Sequence, residues 1–222
     1  MLMLFLAGGT LLMFGVMLLA GQKNRLPRWK LLISSVVLAA AGVLGARLLY
    51  LLENGVWGGI SFYGAVFLPP LIMLPAALLL KLPPAQLMDL CAPAECVMLA
   101  LLKVQCLVEG CCGGRVIGFS SRTGEPIVFP SQIAECVNAL VLMVILILLI
   151  RGGKKKGLAY PAYMILYGVT RFFLNLLRET TPFILGLAAG NFWSLVSIVI
   201  GLIAWFAIRK KQSSMKTSSE GA

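Results

Sequence analysis

The chain predicts an all-α integral membrane protein of about seven transmembrane helices, with its N-terminus outside and its C-terminus in the cytoplasm. Three observations lead there. Of 222 residues, 60% are hydrophobic and only 12% are charged, against about 25% charged in a soluble domain. Apolar runs long enough for a bilayer, about 20 residues each, recur along the whole chain. The basic residues gather in alternate connections between those runs.

Composition excludes a good deal. With a mean hydropathy of +0.96, no water-soluble surface can be built, so a cytosolic enzyme, a secreted disulfide scaffold and a disordered tail are all ruled out. The net charge of +11 does not indicate nucleic acid, because its cations sit between apolar runs and report orientation. There is no histidine. A histidine base, a histidine metal ligand and a Ser-His-Asp triad are therefore excluded.

The runs follow in order. Residues 1–21 carry no charge. Residues 31–52 are apolar except Arg47. Residues 60–80 are uncharged, and 82–102 are apolar around Asp89 and Glu95. Residues 130–150 are apolar apart from Glu135, 157–178 until Arg171, and 183–208 throughout. The first run lacks a basic leader, and Leu18-Leu19-Ala20-Gly21 is followed by Gln22. A retained helix is expected there rather than a cleaved signal. Residues 1–208 read as one transmembrane domain with an outer loop at about 103–129. Residues 209–222 read as a short basic, Ser-rich cytoplasmic tail.

Thirteen of the nineteen basic residues fall on one side: Lys23, Arg25, Arg28 and Lys30; Lys81; Arg151, Lys154, Lys155 and Lys156; Arg209, Lys210, Lys211 and Lys216. The positive-inside rule makes that side cytoplasmic. The other six are Arg47, Lys103, Arg115, Arg122, Arg171 and Arg178, at outer helix ends or in outer loops. A single cation there can snorkel to headgroups. Six together point to an anion site.

Three stretches carry candidate chemistry. The outer loop holds Gly110, Gly113, Gly114 and Gly118, whose tight turns can present free N–H groups to a phosphate beside basic residues. Cys106, Cys111 and Cys112 lie in it, but no CxxC pair and no histidine completes a zinc site. No metal is expected; a disulfide from Cys106 to Cys111 or Cys112 is left open. Ser131, Gln132, Glu135 and Asn138 recur every three or four residues, so they share a helix face, and Ser131 suits a helix cap. Arg171 and Arg178, seven apart, also share a face with Asn175 between them. They read as unpaired arginines whose planar forks suit a phosphodiester. A pairing of Arg178 with adjacent Glu179 is weak, because neighbours on a helix do not face each other.

These strings resemble the bacterial prolipoprotein diacylglyceryl transferase family, in order from about residue 42 to residue 201. Gly45-Ala-Arg47-Leu-Leu-Tyr50 resembles the family's GxRLxY. Gly58-Gly-Ile-Ser61-Phe-Tyr63-Gly64 resembles its G-G-[MI]-S-F-H-G, and Asp89-Leu-Cys-Ala-Pro93 its D-x-x-x-P. The stretch Lys103-Val-Gln-Cys106-Leu-Val-Glu-Gly110-Cys-Cys-Gly-Gly114 resembles the signature loop, which some members write GRIGCFLAGCCYG. Pro130-Ser131-Gln132-Ile-Ala-Glu135 resembles P-S-Q-L-Y-E. Tyr167-Gly168-Val-Thr-Arg171-Phe172-Phe-Leu-Asn175-Leu-Leu-Arg178 resembles Y-G-x-x-R-F-x-x-E-x-x-R. Gly190-Asn191-Phe-Trp-Ser194 resembles G-Q-x-x-S.

The resemblance implies transfer of diacylglycerol from phosphatidylglycerol to the lipobox cysteine thiol of a prolipoprotein in the bacterial cytoplasmic membrane. Its partners are that lipid, prolipoprotein signal peptides and membrane lipid, with no nucleic acid and no cofactor. Tyr63, Lys103 and Arg171 take the catalytic positions. Arg47, Ser61, Gly110, Ser131, Gln132, Glu135, Tyr167, Asn175 and Arg178 line the substrate. Four departures stand out: Tyr63 replaces the family histidine, Lys103 an arginine, Gln105 a glycine and Asn175 a glutamate. A phenol of pKa ~10 is no base at neutral pH. A lipid-binding member without activity is the alternative reading, and a small transporter the next.

Orientation is directly testable. Topology reporters fused after Lys154 and after Arg122 are expected on opposite faces. Both on one face would overturn the seven-span reading.

Overall fold

The protein is described here by a computed structural model, which covers residues 2–21, 26–120, 122–152, 156–178 and 183–220. Lys23, Arg25, Lys154, Lys155 and Glu179 lie outside the described residues, and with them the pairing of Arg178 with Glu179.

Among the described residues seven helices run in chain order: α1 (Leu2–Ala20), α2 (Arg28–Asn54), α3 (Gly64–Leu79), α4 (Pro84–Val108), α5 (Ser131–Arg151), α6 (Ala159–Leu176) and α7 (Ala189–Glu220). Four of them, α2, α4, α5 and α7, are long and apolar enough to cross a membrane, and α1 and α3 are shorter apolar helices. The expected runs match these helices, with three corrections. The fourth helix continues to Val108, so the outer connection begins at 109 and not 103. That connection is not wholly irregular: β1 (Val116–Phe119) and β2 (Pro126–Val128) form an antiparallel hairpin with a bulge between Val116 and Gly118. The last helix starts at Ala189 and not 183. Residues 183–188 instead form a small antiparallel pair, β3 (Phe183–Ile184) and β4 (Leu187–Ala188). Leu185 and Gly186 both have positive φ, so the backbone there turns and cannot continue a helix. Past Ile208, α7 runs on to Glu220 with Arg209, Lys210 and Lys211 exposed.

Proline marks where the chain turns. Pro83 and Pro84 open α4, where a missing N–H costs nothing. Lys81, with φ of 51°, reverses the chain just before it. Lys30 Nζ donates to Leu80 O at 2.7 Å, fastening the start of α2 to the end of α3. Helices α2 and α3 approach closely because Gly45 and Gly64 face each other; a Cβ on either would strike the other's backbone. Small residues at such a crossing let helix backbones touch.

Helix α4 is the axis of the bundle. Leu87, Leu90, Cys91, Ala92, Ala94, Cys96 and Leu99 are all buried, and α4 packs against α1, α3, α5 and α6. By contrast α5 exposes Ile133, Val137, Leu140, Val141, Val144, Ile145, Leu148 and Leu149, a face that only lipid can cover.

The start of α6 is buried, with Gly157, Leu158, Ala159 and Tyr160 all inside the bundle. A helix start buried without partners would leave N–H groups unsatisfied. Asp89 of α4 supplies the acceptor: Oδ2 accepts from Gly157 N at 2.6 Å and Oδ1 from Ala159 N at 2.7 Å. The carboxylate also meets the positive end of the helix dipole. Asp89→Ala is therefore expected to cost about 1.5–3 kcal/mol, the range for hydrogen bonds to charged groups, with Asp89→Asn recovering part. Thermal unfolding in detergent micelles reads this; an unchanged midpoint for Asp89→Ala would refute the assignment.

Candidate active site

The end of α4, the start of α5 and the end of α6 meet at one end of the bundle, and Glu135 is their meeting point. It lies one turn into α5, with its side chain 3% exposed. Its Oε1 accepts from Arg178 Nη1 at 2.6 Å. Its Oε2 pairs with Lys103 Nζ at 2.7 Å and with Arg171 Nη1. Arg171 and Arg178 are thus not the unpaired arginines expected from the sequence. Both converge, with Lys103, on one carboxylate from another helix. The shared helix face expected from their seven-residue spacing is corrected: α6 ends at Leu176, so Arg171 reaches the carboxylate from the helix and Arg178 from the chain just past it, where it bridges to Gly114.

Three cations on one anion leave a formal charge of +2 in a nearly closed site. The cationic side chains are only 11–13% exposed. Low local dielectric magnifies that excess. Around it lie polar atoms with no hydrogen-bond partner among the described residues: Arg178 Nε and both amide atoms of Asn175. Asn175 is 3% exposed and packs on Gly190 so closely that a Cβ there would meet its carboxamide. Buried polar atoms left unmatched cost about 1–3 kcal/mol each. The excess charge and the unmatched donors are groups whose chemistry an anion would satisfy.

The connection between α4 and α5 is stitched to this cluster. Ser131 Oγ donates to Cys112 O at 2.7 Å, and Gln132 Nε2 donates to Cys111 O at 2.6 Å. Arg115 N donates to Leu177 O at 2.9 Å, and Gly114 bridges to Arg178. Gly114 is required there, since a Cβ would collide with the Phe129 backbone carbonyl. Two expectations are corrected. Ser131 does not cap α5, whose N-cap is Pro130; it and Gln132 hold the loop. Gly110 does not offer a free N–H, which instead donates to Leu107 O at 3.3 Å and closes α4. Asn138 donates to Thr170 Oγ1 and ties α5 to α6.

Tyr63 stands just before α3, 3% exposed, with its hydroxyl 2.6 Å from Ser194 Oγ of α7. Ser194 gives its one proton to Gly190 O at 2.6 Å. Tyr63 is therefore the donor to Ser194, and its hydroxyl is not placed to take a proton from a substrate. Its ring lies 5.6 Å from that of Tyr167, which also faces Phe62 at 5.3 Å. Tyr167, one turn before Arg171, is an aromatic wall under the cations. Ser61 Oγ donates to Glu53 Oε1 at 3.0 Å and braces the approach to α3.

Arg47 sits apart from the trio. It borders an apolar cavity of about 90 Å³ between α1, α2 and α4, lined by Leu6, Met13, Leu38, Phe62 and Met98. Glu95 lies on the same cavity; its Oε1 accepts from Tyr160 at 2.9 Å, while its Oε2 has no partner among the described residues. The sequence carried a signal for Glu95, an ionisable residue inside an apolar run, but no partner by which to place it.

The three loop cysteines come together: Sγ atoms of Cys106, Cys111 and Cys112 lie within 4.8 Å of one another, all as free thiols. The Cys112 thiol is pulled down to about 5, first by a hydrogen bond from Cys106 and then by the charges of Lys103 and Arg178. Burial pushes the Cys111 thiol up.

Removing the central anion should be costly. Glu135→Ala leaves three buried cations facing one another, and breaking a buried pair in this way costs about 3–5 kcal/mol. Lys103→Met leaves Glu135 with two cations and should cost less. Thermal unfolding in micelles orders the two; equal effects would deny Glu135 its central place.

The chain has relatives among known proteins. A sequence model described as prolipoprotein diacylglyceryl transferase matches residues 2–207. A phosphatidylglycerol–prolipoprotein diacylglyceryl transferase of Geobacter sulfurreducens is 33% identical over 176 residues, covering 70% of this chain and 67% of that protein. The transferase numbered 2 from Clostridium perfringens is 25% identical over 216 residues, covering 86% and 83%. The matched span takes in α1 to α6, α7 as far as residue 207, the cation trio and the loop held over it, and the chain belongs to the prolipoprotein diacylglyceryl transferase family.

Proposed function

We propose that this protein transfers the diacylglyceryl group of phosphatidylglycerol to the lipobox cysteine thiol of prolipoproteins. One observation carries the reading: the net +2 cluster of Lys103, Arg171 and Arg178 around Glu135. In the reaction a thiolate attacks the glycerol carbon. The carbon–oxygen bond breaks, and its electron pair leaves on the phosphate. The phosphodiester charge of −1 becomes a phosphomonoester approaching −2. A preorganised positive site favours the late charge over the early one, and that difference is what accelerates the step. Arg171 and Arg178 contact the departing phosphate, with the free Arg178 Nε and Asn175 amide as further donors. Lys103 balances Glu135. The apolar cavity beside Arg47 takes part of an acyl chain.

Seven helices cross the bacterial cytoplasmic membrane in this reading. The N-terminus is outside, and the cluster opens toward the outer leaflet, where lipoprotein precursors arrive. Tyr63 is a positioning residue that fixes α3 on α7 through Ser194.

A transfer assay with labelled phosphatidylglycerol and a lipobox peptide tests this. Wild type is expected to label the peptide cysteine. Arg171→Ala and Arg178→Ala should each lower the rate ten-fold or more, since a hydrogen bond to a charged group is worth roughly 1.5–3 kcal/mol and about 1.4 kcal/mol is a factor of ten. Tyr63→Phe should keep most of the rate. Folded wild type that binds the lipid but transfers nothing would overturn the assignment.

A further inference from the structure

The histidine position of the family holds a tyrosine that donates its proton to Ser194, so the acceptor thiol lacks an evident activating group at the cation cluster. The neighbouring loop supplies a different kind of group. Helix α4 ends in a doubly hydrogen-bonded turn. Gly110, with φ of 68°, donates its N–H to Leu107 O, and Cys111 N donates to Cys106 O at 3.0 Å. This closure brings the side chains three places before and two places after the helix cap into contact. They are Cys106 and Cys111. Cys112 follows with φ of 62°, a left-handed turn rare outside glycine and asparagine, which returns its side chain to the other two. The result is three sulfurs within 4.8 Å, built by a helix end and pinned through the Cys111 and Cys112 carbonyls by Gln132 and Ser131.

We propose that Cys106, Cys111 and Cys112 form a three-thiolate zinc site whose open fourth position takes the acceptor thiol of the transfer reaction; the second half rests on the transferase reading above. Zinc–sulfur bonds of about 2.3 Å in a tetrahedron set sulfurs about 3.8 Å apart, so the thiols need close by no more than about 1 Å. Three protein ligands with an open position mark catalytic zinc, and four mark structural zinc. No histidine exists to complete the set, and Glu109 accepts from Gln105 instead. Cys112 is exposed and Cys106 and Cys111 are half-buried, so the cluster is reachable from outside the bundle. Three thiolates with Zn²⁺ carry −1, which suits a neighbour of net +2. Cys106 follows Lys103 by three residues on α4, about 4.5 Å along the axis, so the two sites adjoin.

The step balances without redox change. On binding zinc the acceptor thiol gives its proton to water, because a coordinated thiol is deprotonated. A sulfur lone pair forms the sulfur–carbon bond, and the carbon–oxygen pair leaves on phosphate at the arginines. The thioether product dissociates, and water returns to zinc.

The test uses full-length protein purified in micelles. Elemental analysis is expected to find about one zinc per chain. Cys106→Ser, Cys111→Ser and Cys112→Ser should each lose it with their thermal midpoints still cooperative. Cys136→Ser, outside the cluster, should keep it. Replacement by Co²⁺ should give a sulfur-to-cobalt charge-transfer absorption that changes with a cysteine lipobox peptide and not with its serine analogue. Absence of zinc, a mass two hydrogens short from a disulfide, zinc retained in Cys112→Ser, or a cobalt spectrum indifferent to the peptide would each overturn the proposal, whatever the transfer assay gives. If transfer proceeds in metal-free protein, the zinc site falls and the transferase stands. If zinc binds and cobalt senses the peptide but nothing is transferred, the transferase reading falls and the thiol site stands.

Discussion

One carboxylate among three cations organises this protein. Isolated charges inside a bilayer are expensive, and Lys103, Arg171 and Arg178 would not stay together without Glu135. Yet Glu135 neutralises only one of them. In the proposed transfer that surplus is what meets the departing phosphate. It is tolerated because the ends of α4 and α6 and the start of α5 are fixed to one another by other means: Asp89 holding the start of α6, Asn138 tying α5 to α6, and the loop stitched down through Ser131, Gln132 and Gly114. Packing away from the site holds a charge arrangement that would otherwise fly apart.

How much of this was legible in the sequence depends on the range of the interaction. Apolar runs report burial locally, so the helices fall close to where the runs place them. The start of α7 was misplaced because Phe183, Ile184, Leu185 and Leu187 continue the apolar run, while the decision to turn is made by backbone at Leu185 and Gly186. That Arg171 and Arg178 act together was readable from the sequence, but not how, because α6 ends at Leu176 and Arg178 is placed by its bridge to Gly114. Their partner was not, because Glu135 lies on another helix and periodicity carries no information across helices. The polar stripe on α5 was seen, but its members divide among tasks. Glu135 serves the site, Ser131 and Gln132 the loop, and Asn138 the packing.

The cysteine cluster was illegible for a similar reason. Spacing rules for thiol sites describe short loops with two ligands close in sequence. Here Cys106 belongs to a helix and Cys111 to the turn that ends it. Only the hydrogen bonding of that turn, made by Gly110, shows that positions five apart touch. The same glycine had looked like a phosphate cradle. A helix-ending glycine and an anion-binding glycine share composition and left-handed φ. They differ in whether their N–H groups are already taken.

Charge conservation sharpens what the site must do. A thiolate and a phosphodiester carry −2 together, and a thioether with a phosphomonoester dianion carries the same −2. The total does not change along the reaction; negative charge moves from sulfur to phosphate. A positive site that surrounded both positions evenly would stabilise reactants and products alike and accelerate nothing. The cations must lie nearer the phosphate than the sulfur. Arg171 sits on α6 and Arg178 just past its end, while Cys106, Cys111 and Cys112 sit at and beyond the end of α4; of the two arginines only Arg178 bears on Cys112, and less than Lys103 does. In the proposed transfer the arginines serve the phosphate, and Tyr63 gives the acceptor sulfur no help, since its proton is held toward Ser194. Nucleophile activation must therefore be local to the thiol and separable from leaving-group stabilisation. The sulfur cluster beside Lys103 is the place in this fold where that separation is met.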